Sequence, residues 1–315
     1  MNIYKTDLIK KLGTNLFLIR LFFVKHAFAL CLILPGVSYI FFFTILICFS
    51  LISLSLSDHV NNIDQFICLT NYSAIILSQE FRASLVRTIA FVIAGIPLQL
   101  LAGLVCALIV NKEFAGRGIV RSLFLIPIAI PGLVTAIIVS KMLFQFPGGH
   151  INDLLMGNYF LPPIISEPVN WYHSQFFSLG LALCAKIWRD MPISMLILLA
   201  GLQSVPKDHL EAAKTMGAGS IRTFFYIIVP HPNFIVAISA VLVLRSIEIW
   251  KAFLFPYVIA PTYQVLGVLI EYLYHEESDP GQTSALAVIL MALIFIAKVL
   301  IEFITKKVKK HLIKV

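Results

Sequence analysis

Charged and aromatic residues interrupt two long apolar stretches of the chain. They are Lys186, Trp188, Arg189 and Asp190 in the first stretch, and Arg245, Glu248, Trp250 and Lys251 in the second. Ionisable groups in the middle of an apolar span are costly, so each of them is a candidate for a functional site. Arginine and carboxylate groups can hydrogen-bond hydroxyls, and a tryptophan ring can stack on a sugar ring. These residues can therefore line a polar, water-filled path for a hydroxyl-rich solute.

The same spacing also has a structural interpretation. Lys186 and Asp190 are four residues apart, and Arg245 and Glu248 are three apart, so on a helix each pair shares a face and can partly neutralise itself. Such pairs could fix helix register at buried contacts. The sequence leaves both interpretations open. The candidate residues for a solute path are Trp188, Arg189, Asp190, Arg245, Glu248 and Trp250.

A third polar feature is the segment Glu211-Ala-Ala-Lys-Thr-Met-Gly-Ala-Gly-Ser220, which separates two apolar stretches. Glu211 to Lys214 predict a helical turn with a charged face and a small face. Gly217 allows the backbone to turn before a second helix begins near Ser220. Because the small face lets another protein approach closely, the segment predicts a docking loop.

The composition places the elements that carry these residues in a lipid bilayer. Hydrophobic residues make up 59% of the 315 residues and charged residues 13%, against about 25% charged in soluble domains. Six windows are long and apolar enough to span a bilayer. They are roughly residues 28–52, 88–110, 122–140, 176–200, 234–255 and 284–305. The predicted fold class is all-α, a polytopic membrane protein with six transmembrane helices.

Lys and Arg residues predict the orientation of these spans. They are concentrated before span one, between spans two and three, between spans four and five, and after span six, whereas the opposite loops collect most of the acidic residues. The positive-inside rule therefore places these four segments and both termini in the cytoplasm. The predicted organisation is a cytoplasmic N-terminal segment 1–27 along the inner interface, a transmembrane domain 28–305 that retains span one as an anchor, and a basic tail 306–315.

Several functional classes are disfavoured by the sequence. The net charge of +8 comes from residues beside span ends, without interleaved aromatic platforms, which favours attraction to membrane lipid over nucleic-acid binding. The eight histidines are dispersed, and no His-Glu-x-x-His or Gly-x-Ser-x-Gly motif occurs, so neither catalytic residues nor a metal site is predicted. The five cysteines are scattered and predict no disulfide framework. No phosphate loop occurs, so we expect the energy source on another chain.

The segment around Glu211-Ala-Ala, with Gly217, Ile227 and Pro230 downstream, resembles the EAA loop of binding-protein-dependent ABC importer permeases. The resemblance covers roughly residues 65–295 in the order seen in the sugar-type branch, the maltose and glycerol-phosphate permease family. It rests on Asn71-Tyr72, Thr88, the stretch 103–111, Arg121, Pro127, Gly149-His-Ile-Asn152, Ile187-Trp188 and Gly201-Leu-Gln-Ser-Val-Pro206. Two departures keep other substrate classes open: Met216 stands where this branch usually has Asp, and the loop after the fifth span lacks Gly-Gly-Pro.

The resemblance implies a type I ABC importer permease, with a five-helix core and span one packed around it, in a bacterial or archaeal inner membrane. It implies an ATPase-coupling loop within residues 202–233 that uses Glu211, Ala212, Ala213, Gly217 and Ala218. The implied partners are a second homologous permease in a heterodimer, two ATPase subunits that bind ATP and Mg, and an extracytoplasmic solute-binding protein. The chain itself would need no cofactor and would conduct a sugar or sugar-like solute by alternating access. The alternatives are a permease for a polyamine, iron or an anion, and an ion-driven carrier or membrane-embedded enzyme.

Overall fold

Helices make up nearly all of the regular structure in a computed structural model of the chain, which describes residues 2–60, 63–160, 162–277 and 279–312. The chain divides into two units, Met1–Leu54 and Ser55–Val315. The predominance of helices confirms the predicted helical fold. The described residues also contain a small β-hairpin, which the all-α prediction did not include.

The first unit is formed by helix α1, Asn2–Ser55, apart from its last residue, Ser55, which belongs to the second unit. The helix continues without a break past residue 27, where the sequence predicted a boundary between a cytoplasmic segment and span one. Its portion Ala27–Ser55 is long and apolar enough to cross a membrane. The side chains of residues 1–26 lie outside the described part of the structure, so the predicted interfacial position of this segment stays a prediction.

The second unit begins with a hairpin and a short helix. Strands β1, Ser57–Val60, and β2, Ile63–Phe66, pair antiparallel with Ser57 opposite Phe66. Helix α2, Thr70–Leu77, follows. The Asn71 amide donates to the carbonyl oxygens of Ser55 and Ser57 at 3.1 and 2.9 Å. Asn71 is almost fully buried, so its side chain ties the start of the hairpin to α2 with both donors satisfied.

The remaining long helices of the second unit are α3, Gln79–Asn111; α7, Gln175–Gln203; α10, Pro232–Trp250; and α13, Pro280–Leu312. By length and composition, α1, α3, α10 and α13 contain candidate membrane spans. Helix α7 is not among these candidates because its middle carries three charged residues, Lys186, Arg189 and Asp190. The structure therefore gives four candidate spans, or five with the bent pair below, and six are not confirmed. Residues 313–315 of the predicted tail lie outside the described residues.

The third predicted span, residues 122–140, is broken. Helix α4, Arg117–Ala129, and helix α5, Gly132–Ile138, which continues as a π-helix over Val139–Leu143, meet at an angle of 91°. Pro131 causes the break because proline has no N–H and disfavours helical geometry in the residue before it. Ile130 is accordingly extended, with φ −80° and ψ 129°. Pro97 and Pro192, by contrast, lie within continuous helices.

Helices α3, α7 and α10 pack together as the centre of the second unit. A Cβ at Gly95 in α3 would lie 2.9 Å from Leu183 in α7 and 3.0 Å from Ile249 in α10. A Cβ at Gly103 would lie only 2.5 Å from the Cβ of Ser194. Small residues at these crossings let the backbones approach closely, as is common between membrane helices. The contacts bring the middle of α7 beside the C-terminal half of α10.

Shorter elements complete the second unit. They are α6, His150–Leu155; α8, Lys207–Thr215; α9, Ser220–Thr223, which continues as a π-helix over Phe224–Ile228; α11, Leu254–Ile259; and α12, Leu266–His275. The segment between the π-helix at 139–143 and α7 is held by Asn152. Its amide donates to the carbonyls of Pro147 and Val169, and its carbonyl oxygen accepts from the Val169 N–H and Trp171 Nε1, at 3.1 to 3.2 Å.

Candidate functional site

The predicted docking loop begins with α8. Pro206, with φ −58° and ψ 137°, precedes the helix. Asp208 lies in its first turn and Lys214 in its last, where each charge complements the helix dipole. Ala213 is the buried residue of α8, whereas Glu211 and Ala212 are exposed. The helix therefore packs on the rest of the unit through Ala213 and leaves Glu211 exposed.

Gly217 ends α8 in a Schellman motif. The Gly217 N–H donates to the Lys214 carbonyl and the Ala218 N–H donates to the Ala213 carbonyl, both at 2.9 Å. This cap needs a left-handed residue, and Gly217 has φ +76°. A Cβ at this position would meet nothing within 4 Å. Within this chain, the requirement for glycine is therefore conformational and not steric.

The Glu211 carboxylate has no ion pair or hydrogen bond to any other described residue. Further along the loop, Met216, Ile221, Phe225 and Tyr226 are all at least 60% exposed. An open groove of about 720 Å³ runs between Gly217 and Tyr226. A cluster of exposed large apolar side chains is typical of a surface that contacts protein or lipid.

Both predicted ion pairs form within their helices. The Asp190 carboxylate accepts from Lys186 Nζ at 2.7 Å and from an Arg189 Nη at 2.9 Å. Glu248 accepts from Arg245. Asp190 is 5% exposed and Arg245 is 1% exposed, so these charges are held away from water and their partners stabilise them there.

A cavity of about 400 Å³ brings the two charged clusters together. Its charged lining consists of Lys186, Arg189, Asp190, Glu248 and Lys251. Apolar lining comes from α4, α7 and α11. Of the six predicted path residues, Arg189, Asp190 and Glu248 line this cavity. Lys186 and Lys251 also line it. Both were noted as charges within apolar stretches, but neither was among the six predicted path residues.

The other three predicted path residues lie elsewhere. Arg245 is buried behind Glu248 and does not line the cavity. Trp188 lines a separate, apolar cavity of about 300 Å³ together with Cys184 and Phe144. Trp250 is 8% exposed, and its Nε1 is buried without a hydrogen-bond partner among the described residues. The structure thus places no tryptophan in the charged cavity.

Comparison with known proteins identifies relatives over most of the chain. Residues 99–310 match the family described as binding-protein-dependent transport system inner membrane component. The chain is 30% identical over 271 residues to the trehalose/maltose transport system permease protein MalF of Thermococcus litoralis, covering 84% of this chain and 88% of the relative. It is 30% identical to the arabinooligosaccharides transport system permease protein AraP of Halalkalibacterium halodurans, covering 78% and 77%.

The fold has a counterpart among solved structures. A chain in the crystal structure of a bacterial alginate ABC transporter, in complex with an alginate pentasaccharide-bound periplasmic protein, superposes with a TM-score of 0.77. The sequence identity is 16%, and the match covers 91% of this chain and 97% of that one. At this identity the likeness concerns the fold alone.

Proposed function

The chain belongs to the family of binding-protein-dependent transport system inner membrane components, and from this we propose that it is the permease subunit of an ATP-driven importer for a sugar or sugar-like solute. Its relatives named above are permeases of trehalose/maltose and arabinooligosaccharide transport systems. The charged cavity between α7 and α10 supports this proposal because its arginine, lysine and carboxylate groups can hydrogen-bond hydroxyls. The proposed location is a bacterial or archaeal inner membrane.

The proposed topology has six spans with both termini in the cytoplasm. The spans are the Ala27–Ser55 part of α1, then α3, the broken pair α4 and α5, α7, α10 and α13. Counting α7 as a span is reasonable because Lys186 and Asp190 form an ion pair within it, which lowers the cost of burying their charges. The distribution of Lys and Arg supports the orientation.

The proposed assembly is a heterodimer with a second permease, two ATPase subunits and an external solute-binding protein. ATP and Mg bind to the ATPases, and this chain does no covalent chemistry. Closure of the ATPase dimer would move α8 and switch the permease pair between inward-open and outward-open states. The segments 56–87 and 144–174 are the proposed surfaces for the binding protein.

One observation carries the coupling role: a Schellman motif at Gly217 caps α8, and the helix presents the Glu211 carboxylate without a partner among the residues described here. The cap satisfies carbonyl groups at the end of α8 and so opposes unwinding of the helix when a partner moves it. A free carboxylate can accept a charge-assisted hydrogen bond from an ATPase side chain, worth roughly 1.5–3 kcal/mol.

The test is to replace Glu211 with Ala and Gly217 with Val in the complete transporter. Copurification of the ATPase and ATP hydrolysis stimulated by the binding protein are then measured. We expect both to fall, with Glu211→Ala weakening ATPase association by about 10-fold or more. Matched controls are Glu113→Ala, another exposed acid, and Gly116→Val, at a glycine with φ +83° and equally open surroundings. Full association and stimulation in both loop variants would contradict the coupling role.

A further inference from the structure

The cavity between α7 and α10 contains an excess of positive charge. The Asp190 carboxylate is shared by two cations, Lys186 and Arg189. The Glu248 carboxylate is already bound by Arg245. Three cations, Lys186, Arg189 and Lys251, and two carboxylates line the cavity. Arg245 adds a fourth cation behind Glu248, so the described part of the cluster carries a net positive charge.

Lys251 differs from the other three cations of the cluster, each of which pairs with a carboxylate. It follows the last residue of α10, lines the cavity and is exposed. It forms no ion pair with any acidic residue in the described ranges. Arg189 lines the same cavity with a side chain that is 31% exposed, and one of its Nη atoms donates to Asp190. Lys251 and the exposed part of Arg189 can therefore meet a ligand in this cavity.

An anionic ligand would satisfy both groups. A ligand carboxylate, sulfonate or phosphate would balance the excess positive charge and accept charge-assisted hydrogen bonds from Arg and Lys. A neutral sugar offers hydroxyls but leaves the excess charge in place. A polyamine would add positive charge and be repelled.

We propose that the solute conducted by this permease is a sugar that carries an acidic group, and that Lys251 and Arg189 bind this group in the cavity between α7 and α10. The proposal rests on the sugar-importer function above and specifies the chemistry of the solute. Lys251 is the specificity-determining residue, because Arg189 is partly neutralised by Asp190 whereas Lys251 is not.

The experiment uses the complete transporter in lipid nanodiscs without the binding protein, so that only the permease pair selects the ligand. Calorimetric titration compares digalacturonate with the neutral digalactoside of the same linkage, at low salt. We expect roughly 10-fold tighter binding of the acidic probe, and loss of this preference in Lys251→Gln, because one charge-assisted contact is removed. Lys251→Arg should keep the preference. Lys298→Gln should also keep it, because Lys298 pairs with Glu302 in α13 and does not line the cavity.

Equal affinity for the two probes overturns the proposal, as does failure of both to bind. It is also overturned if Lys251→Gln keeps the preference but loses the second permease on purification, since Lys251 then pairs with a carboxylate of that subunit. The binding protein is then added to the same preparations, and its stimulation of ATP hydrolysis is measured. If stimulation persists while the charge preference is absent, the importer function stands and the acidic-solute proposal alone fails.

Discussion

Gly132 packs directly against the guanidinium group of Arg189. A Cβ at position 132 would lie 3.3 Å from Arg189 Nε and 3.6 Å from Cζ. Gly132 is the first residue of α5, immediately after the break at Pro131, and Arg189 hydrogen-bonds Asp190 in α7. The contact therefore joins the bend of the broken helix to the charged cavity, so a change at either residue should affect the other.

Gly132→Ala should lower transport while the protein still assembles. The new methyl group would also lie 2.8 Å from Leu254 Cδ2, the end of a flexible side chain that can move, whereas Arg189 must shift by a few tenths of an ångström. We expect a stability loss of about 1–3 kcal/mol, as for other overpacked sites. Thermal unfolding in detergent and solute uptake in cells provide the measurement.

The matched control is Gly118→Ala in α4, where a Cβ would meet nothing within 4 Å. This change should leave stability unchanged or raise it by up to about 1 kcal/mol, because alanine favours the helix. Equal effects of the two substitutions would show that the contact between Gly132 and Arg189 has no role.

Asn152→Ala should loosen the segment between α5 and α7. The fully buried Asn152 side chain satisfies two carbonyls, one backbone N–H and Trp171 Nε1. Removing it leaves buried polar groups without partners, at about 1–3 kcal/mol for each group that stays dry. Asn152→Asp should be comparably harmful because a carboxylate cannot donate to the carbonyls of Pro147 and Val169.

Limited proteolysis and Trp171 fluorescence report this change, in a background where Trp188 and Trp250 are Phe. Faster cleavage and red-shifted emission are expected. Asn158→Ala is the control, since Asn158 is exposed on the same segment and its amide contacts the Asp153 carboxylate. If Asn152→Ala behaves like this control, the hydrogen bonds to Asn152 do not hold the segment.

The sequence predicted contacts within one helix better than contacts between helices. The pairs Lys186–Asp190 and Arg245–Glu248 follow from helical spacing alone, and both occur. Spacing cannot show which face meets which neighbour. Trp188 immediately precedes Arg189 in the sequence, yet its side chain lines a different cavity because it lies on another side of α7.

Other features depend on packing between helices and could not be predicted from the sequence. The apolar window 122–140 predicted one span, and its prolines gave no sign of how large a bend the neighbours would accommodate. Lys251 enters the cavity only because α7 and α10 cross where they do. By contrast, Gly217 was predictable, since a glycine after a short polar helix signals a left-handed cap, and its φ of +76° confirms that geometry.

Substitutions at Gly217 should separate conformational from steric effects. Asn tolerates the left-handed region, whereas Ala costs on the order of 1 kcal/mol and Val more. The cap of α8 should therefore weaken in the order Asn, Ala, Val, as measured by hydrogen exchange at the Gly217 and Ala218 amides. No side chain of the described residues lies within 4 Å of a Cβ there. Loss of ATPase binding in Gly217→Asn, with exchange unchanged, would thus locate a steric contact on the partner. If the hydrogen-exchange rates do not follow this order, the left-handed conformation of Gly217 does not determine the stability of the cap.

Native Cys68 allows the proposed topology to be tested. It is exposed and follows the hairpin β1–β2, in a segment that the proposal places outside the membrane. A membrane-impermeant maleimide should label Cys68 in intact spheroplasts. In a Cys68→Ala background, Thr215→Cys on the exposed side of α8 should be labelled only after permeabilisation. The reverse pattern would invert the topology.

Neutralising Arg245 and neutralising Glu248 should destabilise the protein by different amounts, because the two side chains are buried to different extents. The Arg245 side chain is 1% exposed and that of Glu248 is 29% exposed. One Arg245 Nη donates to Glu248, and the Arg245 Nε and its other Nη have no hydrogen-bond partner in the described structure. Glu248→Gln strands a buried cation, which typically costs about 3–5 kcal/mol. Arg245→Met leaves a carboxylate that cavity water can still solvate, so it should cost less. The double variant should be more stable than Glu248→Gln alone, since no unpaired charge remains.

Thermal unfolding of the three variants in detergent tests this order. If Arg245→Met is the most harmful and the double variant gains nothing over Glu248→Gln, the pair does not act by charge compensation, and Arg245 contributes mainly through packing.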